Sequence, residues 1–189
     1  AYDSEDAALR GMGAEAIFLA RLVVSLLPEE PEALGLLALM LHCEARAPAR
    51  RDADGAFIPL SRQNCALWNS AMMEEAESLL VRAAAMQRIG RFQLEAAIQS
   101  AHGARARFGG VNWRAIAVLY EALCALAPTI GAAIGRAAAL AEAGEADAAL
   151  AVLDAIEPQT VAGHQPYWAT RAFVLRRLDD AALETLLAR

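Results

Sequence analysis

Residues 136–158, RAAALAEAGEADAALAVLDAIEP, constrain the fold of this chain more than any other stretch. Apolar residues recur at helical spacing on both sides of Gly144. Ala137, Leu140 and Ala141 share one helical face before the glycine, and Ala149, Leu150, Leu153 and Ile156 share one after it. A glycine near the end of the first helix and Pro158 after the second are the punctuation expected of a helix pair. Ala138, Ala139, Ala143, Ala146 and Ala148 line the seam, so the two helices can approach closely.

The pattern returns elsewhere. Arg171-Ala-Phe-Val-Leu175 echoes Arg136-Ala-Ala-Ala-Leu140, and Asp179-Asp-Ala-Ala-Leu183 follows as Glu145 to Leu150 does, with a shorter turn. Upstream, residues 117–128 match 147–158 in type: an apolar helix, an acidic residue, a closing proline. Residues 16–28 end the same way, and 32–39 have the L-G-x-x-A character of a repeat's first helix. These units resemble tetratricopeptide repeats, helix pairs of about 34 residues that stack on copies of themselves. The expected fold is all-α, a tetratricopeptide-like superhelix of antiparallel helix pairs, an α-α solenoid. It forms a single domain over 1–189, with a polar lead-in at 1–13 that holds at most one helical turn, over Glu5–Arg10, and an inserted loop at 48–64.

Composition agrees with helices. Hydrophobic residues make up 57% of the chain. Much of that is alanine, and β-branched and aromatic residues never alternate over a useful length. There is no Lys, and the 17 basic residues, all Arg, are outnumbered by 23 acidic ones for a net charge of −6. Arg46, Arg50 and Arg51 are the densest basic group, but Asp52 and Asp54 follow at once. Direct nucleic-acid binding is therefore not expected. Cys43, Cys65 and Cys124 are widely spaced and read as small buried thiols of a reducing compartment. No apolar run is long and bare enough to span a bilayer, so no membrane contact is expected. The chain begins with Ala1 and shows no signal-peptide pattern, which reads as an excised piece of a longer cytoplasmic protein.

Taken in order, helices are predicted at 14–27, at 32–46 with Pro31 in the first turn, and at 70–86, 92–105 and 113–127. The central pair follows, then 165–178 and 179–188. Residues 61–68 should begin the helical segment that leads into 70–86. Helix 32–46 is apolar nearly all round and needs neighbours on several sides. Asp52-Ala-Asp54-Gly55 is a turn signal, and Phe57-Ile58-Pro59-Leu60 reads as a loop folded over the core. Asn112 is a candidate N-cap, and Asp179 or Asp180 another.

Catalytic chemistry finds no foothold. His42, His102 and His164 have no partner at ligand spacing, no serine sits in a nucleophile elbow, and no glycine-rich phosphate loop occurs. No catalytic residue, cofactor or metal is expected. Trp68, Trp113 and Trp168 read as packing anchors. A stack of helix pairs offers a concave side lined by first helices. Gln99, His102, Arg136 and Arg171 are the candidates for a protein-binding groove there. Arg136 and Arg171 would suit acidic segments of a partner, because a guanidinium binds carboxylates bidentately. The alternative is that each pairs with a local Glu or Asp.

Several motifs also occur together in a particular order. They are Pro31-Glu-Ala-Leu-Gly-Leu-Leu-Ala-Leu-Met40, Asp52-Ala-Asp54-Gly55, Trp68, Gln93-Leu-Glu-Ala-Ala-Ile98 with His102, Trp113-Arg-Ala-Ile-Ala117, and Leu119-Tyr-Glu-Ala-Leu123 followed by Leu126-Ala-Pro128. In this order they resemble the C-terminal tetratricopeptide-like extension of extracytoplasmic-function sigma factors, over nearly the whole chain. The family's acid-rich segment, roughly D-Q-D-R-x-x-W-D, is here Arg62-Gln63-Asn64-Cys65-Ala66-Leu67-Trp68-Asn69, and Asn112 replaces an Asp. The resemblance implies a non-catalytic interaction or regulatory domain of a factor controlling transcription initiation. Its implied partners are the sigma regions of the same polypeptide, core RNA polymerase or a regulatory protein. Sigma regions 2 and 4 are absent from residues 1–189. A small-ligand sensor and a stand-alone tetratricopeptide adaptor are the alternatives.

Overall fold

An apolar helix needs cover on every side, and Pro31–Ala45 receives it. The computed structural model describes residues 2–187, with side chains from 11 to 180. It is all-helical, with no strand among the described residues. It divides into two compact units, residues 1–110 and 111–189.

The first unit comprises α1 (Tyr2–Leu26), α2 (Pro31–Ala45), α3 (Ser70–Ala85), α4 (Arg91–Gly103) and the single turn α5 (Arg105–Phe108). Helices α1, α3 and α4 all pack on α2. Leu34, Ala38, Leu41 and Ala45 of α2 are fully buried, with Ile17, Ala76, Leu79, Ala83 and Ala96 around them. Pro31 takes the first turn, where its missing N–H costs nothing. The Glu30 carboxylate caps that turn, accepting from the Glu32 N–H at 3.1 Å.

Close packing of α2 on α4 requires two glycines. A Cβ on Gly35 would stand 2.6 Å from the Gln93 nitrogen. Gly90 precedes α4 and has no side chain to cap it, and the cap comes from α2 instead. The Glu32 carboxylate accepts from the N–H groups of Phe92 (2.9 Å) and Gln93 (3.2 Å). A Cβ on Gly90 would lie 2.1 Å from Glu32 Cδ.

Residues 46–69 connect α2 to α3. Arg51 and Phe57 form an isolated antiparallel bridge around the expected turn, with Gly55 at φ +81°. One Asp52 oxygen accepts from the N–H of Asp54 (3.0 Å) and of Ala56 (2.8 Å). Two expectations are corrected here. Residues 61–68 do not start a helix; Leu60–Arg62 and Cys65–Leu67 are separate 3-10 turns, the second held by the Asn64 side chain. Nor is the apolar patch wholly covered, since Ile58 and Leu60 are half-buried but Phe57 is 70% exposed. Asn69 closes the loop by capping α3 and donating its N–H to the Ala45 carbonyl at 2.9 Å.

The second unit comprises α6 (Trp113–Leu126), α7 (Ile130–Glu142), α8 (Ala146–Asp154), the turn α9 (Pro158–Val161) and α10 (Gln165–Leu187). Asn112 caps α6 as expected, accepting from the Ala115 N–H at 3.0 Å, and Thr129 caps α7. Gly144 adopts φ +86° between α7 and α8, and Leu140 and Leu153 are buried. Helix α7 packs on α6 and α8, and α10 packs on α7 and α8. A Cβ on Gly135 would meet the Tyr120 ring at 2.4 Å, so α6 and α7 approach closely there.

Both chain ends differ from expectation. The polar lead-in is helical, because α1 begins at Tyr2. The final pair is one helix: α10 runs through Asp179 and Asp180, which lie exposed within it and cap nothing. Aspartate on the solvent face of a helix costs only a few tenths of a kcal/mol, about 0.7 at most. The expected end at Ala188 lies outside the described residues.

Candidate functional site

Gln99 and His102 stand together on α4, and Arg136 and Arg171 stand on α7 and α10. Both arginines meet local carboxylates. Arg136 Nη2 donates to Glu121 of α6 at 2.7 Å, and Arg171 Nη1 donates to Asp154 of α8 at 2.5 Å and to the Tyr167 hydroxyl at 3.3 Å. Arg136 also lines a cleft of about 520 Å³ with Arg114, Glu121, Leu140, Glu145 and Val152. Arg114 pairs with Glu145 there at 3.7 Å. The charges on the walls of this cleft are thus mutually compensated.

Gln99 and His102 belong to a polar interior in the first unit. Helix α2 contributes His42 and Arg46, 2% and 7% exposed. His42 Nε2 stands 3.5 Å from Glu77 Oε1 without hydrogen-bond geometry, and the same oxygen accepts from Ser100 Oγ at 2.5 Å. Burial pushes His42 down to about 4, against the pull of Glu77. Burial, then the charges of Arg46 and Arg105, push His102 to about 4 as well. Both imidazoles are neutral near pH 7.

Arg46 donates through Nη2 to Gln99 Oε1, while its buried Nη1 has no partner. Its pKa falls, mainly through burial, with Arg50 and Arg105 adding to the effect and Cys43 opposing it. Arg105 donates to the Gln63 carbonyl at 3.1 Å and to Cys65 Sγ at 3.5 Å, and lies 5.4 Å over the Trp68 ring. Beside this group opens a cleft of about 350 Å³ lined by Trp68, Met73, Glu74, Glu77, Ser100 and Arg107 among others. Trp68 is a buried packing anchor as expected, whereas Trp168 is 51% exposed and bonds the Val161 carbonyl at 3.1 Å.

One feature escapes a reading by motifs. Helix α1 buries Ile17 and Ala20 against α2, yet its opposite face is also apolar. Met12, Phe18, Leu19, Leu22, Val23 and Leu26 are between 40% and 70% exposed. At 100° per residue they share one side of the helix, with Glu15 the charged residue among them. The signal lay in residues 12–27, where apolar positions are too many for one stripe.

Among the described residues no group of three or more His, Cys, Asp or Glu side chains could hold a metal ion. No helix is long and apolar enough to cross a membrane. The molecule is thus an all-helical protein of two units, with an apolar helix face and a polar interior in the first. Residues 1–84 match a family described as "Family of unknown function (DUF6596)". The chain is also similar to an uncharacterized protein of Rhizobium meliloti (strain 1021), 36% identical over 167 residues, or 88% of this chain. It spans 39% of that protein's length. No solved structure matches.

Proposed function

We propose that this chain is a non-catalytic interaction domain of an extracytoplasmic-function sigma factor, its helix pairs stacked as in tetratricopeptide proteins. In this reading it works in the cytoplasm by contact, holding the sigma regions of its own polypeptide and so regulating transcription initiation. The motif order carries the family resemblance. The match of residues 1–84 supports it, since that domain is often found at the C-terminus of such factors.

The observation that carries the contact mechanism is the outward face of α1. Burying a Leu or Phe side chain contributes about 1.5–3 kcal/mol, so six exposed apolar side chains on one helix face favour a partner strongly. The coding sequence upstream of Ala1 should specify sigma regions 2 and 4, and their absence would overturn the reading. Given those regions, L19E/L26E in the whole polypeptide should weaken their association with this domain by about tenfold or more. Unchanged association in a variant that melts like wild type would remove α1 as the contact. The 350 Å³ cleft of the first unit favours the ligand-sensor alternative, which a ligand-dependent rise in melting temperature would reveal.

A further inference from the structure

Arginines and carboxylates are not matched evenly over this chain. Outside residues 46–69 and α5, Arg21, Arg88, Arg91, Arg114, Arg136, Arg171 and Arg177 each meet a Glu or Asp, while Arg82 and Arg176 form no ion pair among the described residues. Residues 46–69 and α5 hold Arg46, Arg50, Arg51, Arg62, Arg105 and Arg107, and among the described residues none of these six forms an ion pair. The two acidic residues of that stretch, Asp52 and Asp54, do not pair with them. Asp52 instead turns an oxygen onto its own turn.

These guanidinium groups are held in place by acceptors that leave their charge intact. Arg50 donates to the Cys43 carbonyl at 2.6 Å, Arg51 to the Gly55 carbonyl at 2.8 Å, and Arg105 to the Gln63 carbonyl. Arg46 is 93% buried by its 7% exposure, and its Nη1 has no partner. A buried cation without a counter-charge is costly, and proteins ordinarily pair it. Its neighbours make matters worse, since Arg50 and Arg105 both act on it as like charges. The site is therefore short of negative charge.

We propose that residues 46–69 and α5 form a docking surface for an acidic segment of a partner polypeptide, whose carboxylates engage Arg50 and Arg105 over the buried Arg46. Bidentate guanidinium–carboxylate pairs suit such a segment, and three arginines already fixed by hydrogen bonds lose little freedom on binding. A nucleic acid fits less well. Its phosphates repeat along an extended strand and would meet the remainder of a molecule of net charge −6. Glu74 and Glu77 line the neighbouring cleft and would repel a uniform polyanion, whereas a peptide can place neutral residues there. The surface is independent of the sigma-factor reading.

The test titrates the whole chain into a fluorescent peptide alternating Glu and Gly. Parallel titrations use the same peptide with Gln for Glu, a single-stranded oligonucleotide, and free glutamate. The Glu peptide should bind in a salt-sensitive way, and R50Q/R105Q should weaken it by about tenfold while R114Q leaves it unchanged. If R105Q disturbs the Trp68 packing and lowers the melting temperature, R50Q/R107Q serves in its place with the same expectation. Equal binding of Glu and Gln peptides overturns the proposal, as does full affinity in a normally melting double variant. Tighter binding of the oligonucleotide would make this a phosphate surface, and saturation by free glutamate at similar concentration would make it a small-carboxylate site. Either result also overturns it.

Discussion

His42 is a base that the fold keeps from protonating. Burial lowers its pKa from 6.5 to about 4, and Glu77, though only 3.5 Å away, does not restore it. Between those two values the unfolded chain binds a proton that the folded chain refuses. The stabilisation is thus complete above pH 6.5 and is lost as pH falls toward 4, by on the order of 3 kcal/mol. Urea denaturation across that window should show wild type losing more stability than His42→Gln; equal losses would mean that His42 is not held neutral by burial. That α2 needs cover on several sides was legible from its apolar pattern; that the cover closes over His42 while Glu32 and Glu44 of the same helix stay half-buried was not. The charge state around Arg46 was not. In sequence, Asp52 and Asp54 look like its compensation, and only the folded turn shows Asp52 engaged by backbone N–H groups.

At the scale of elements, α4 depends on a cap supplied by α2. Glu32→Ala should cost about 1–2 kcal/mol, in the range of a lost N-cap. Hydrogen exchange at the Phe92 and Gln93 amides should quicken, while the amides of α3 keep their protection. Unchanged exchange at Phe92 and Gln93 would show that the carboxylate contributes nothing to the helix end. This cap spans two distant segments, so no local rule could find it. Local caps were legible: Pro31 opened α2, Asn112 capped α6, and Gly144 took the left-handed conformation between α7 and α8. Where local signals misled, tertiary packing or mere exposure won. Asp179-Asp180 resembles a cap but sits harmlessly on the solvent side of α10, and residues 61–68 hold two 3-10 turns in place of a helix start, the second capped by the Asn64 side chain, which accepts from the Ala66 N–H.

For the whole molecule, the division at residue 110 has a direct experimental mark. Arg107 and Phe108 are exposed, and Gly109 has φ +72° beside Gly110. Exposed junctions between compact units are where proteases enter. Limited trypsin digestion should therefore cut first at Arg107 and release two fragments that resist further cleavage. Early cuts at Arg136 within α7 or at Arg82 within α3 would show that the units do not persist as compact bodies. The sequence pattern suggests a single domain over 1–189, and the Gly109-Gly110 pair reads in it only as a break between two helices. Helical periodicity located most of the helices, because short-range apolar spacing dictates them. It carried no information on how the chain partitions its contacts into two bodies, since alanine faces match one another too readily to specify a partner.

The fit of Gly90 beneath Glu32 also bears on how this sequence can change over generations. Any side chain introduced at position 90 while Glu32 remains must evict a carboxylate standing 2.1 Å from the new atom. Once position 32 has lost its acid, those nearest contacts are gone. The two positions are therefore coupled: a change at either one removes the same carboxylate from the start of α4, and the second change then no longer carries that cost.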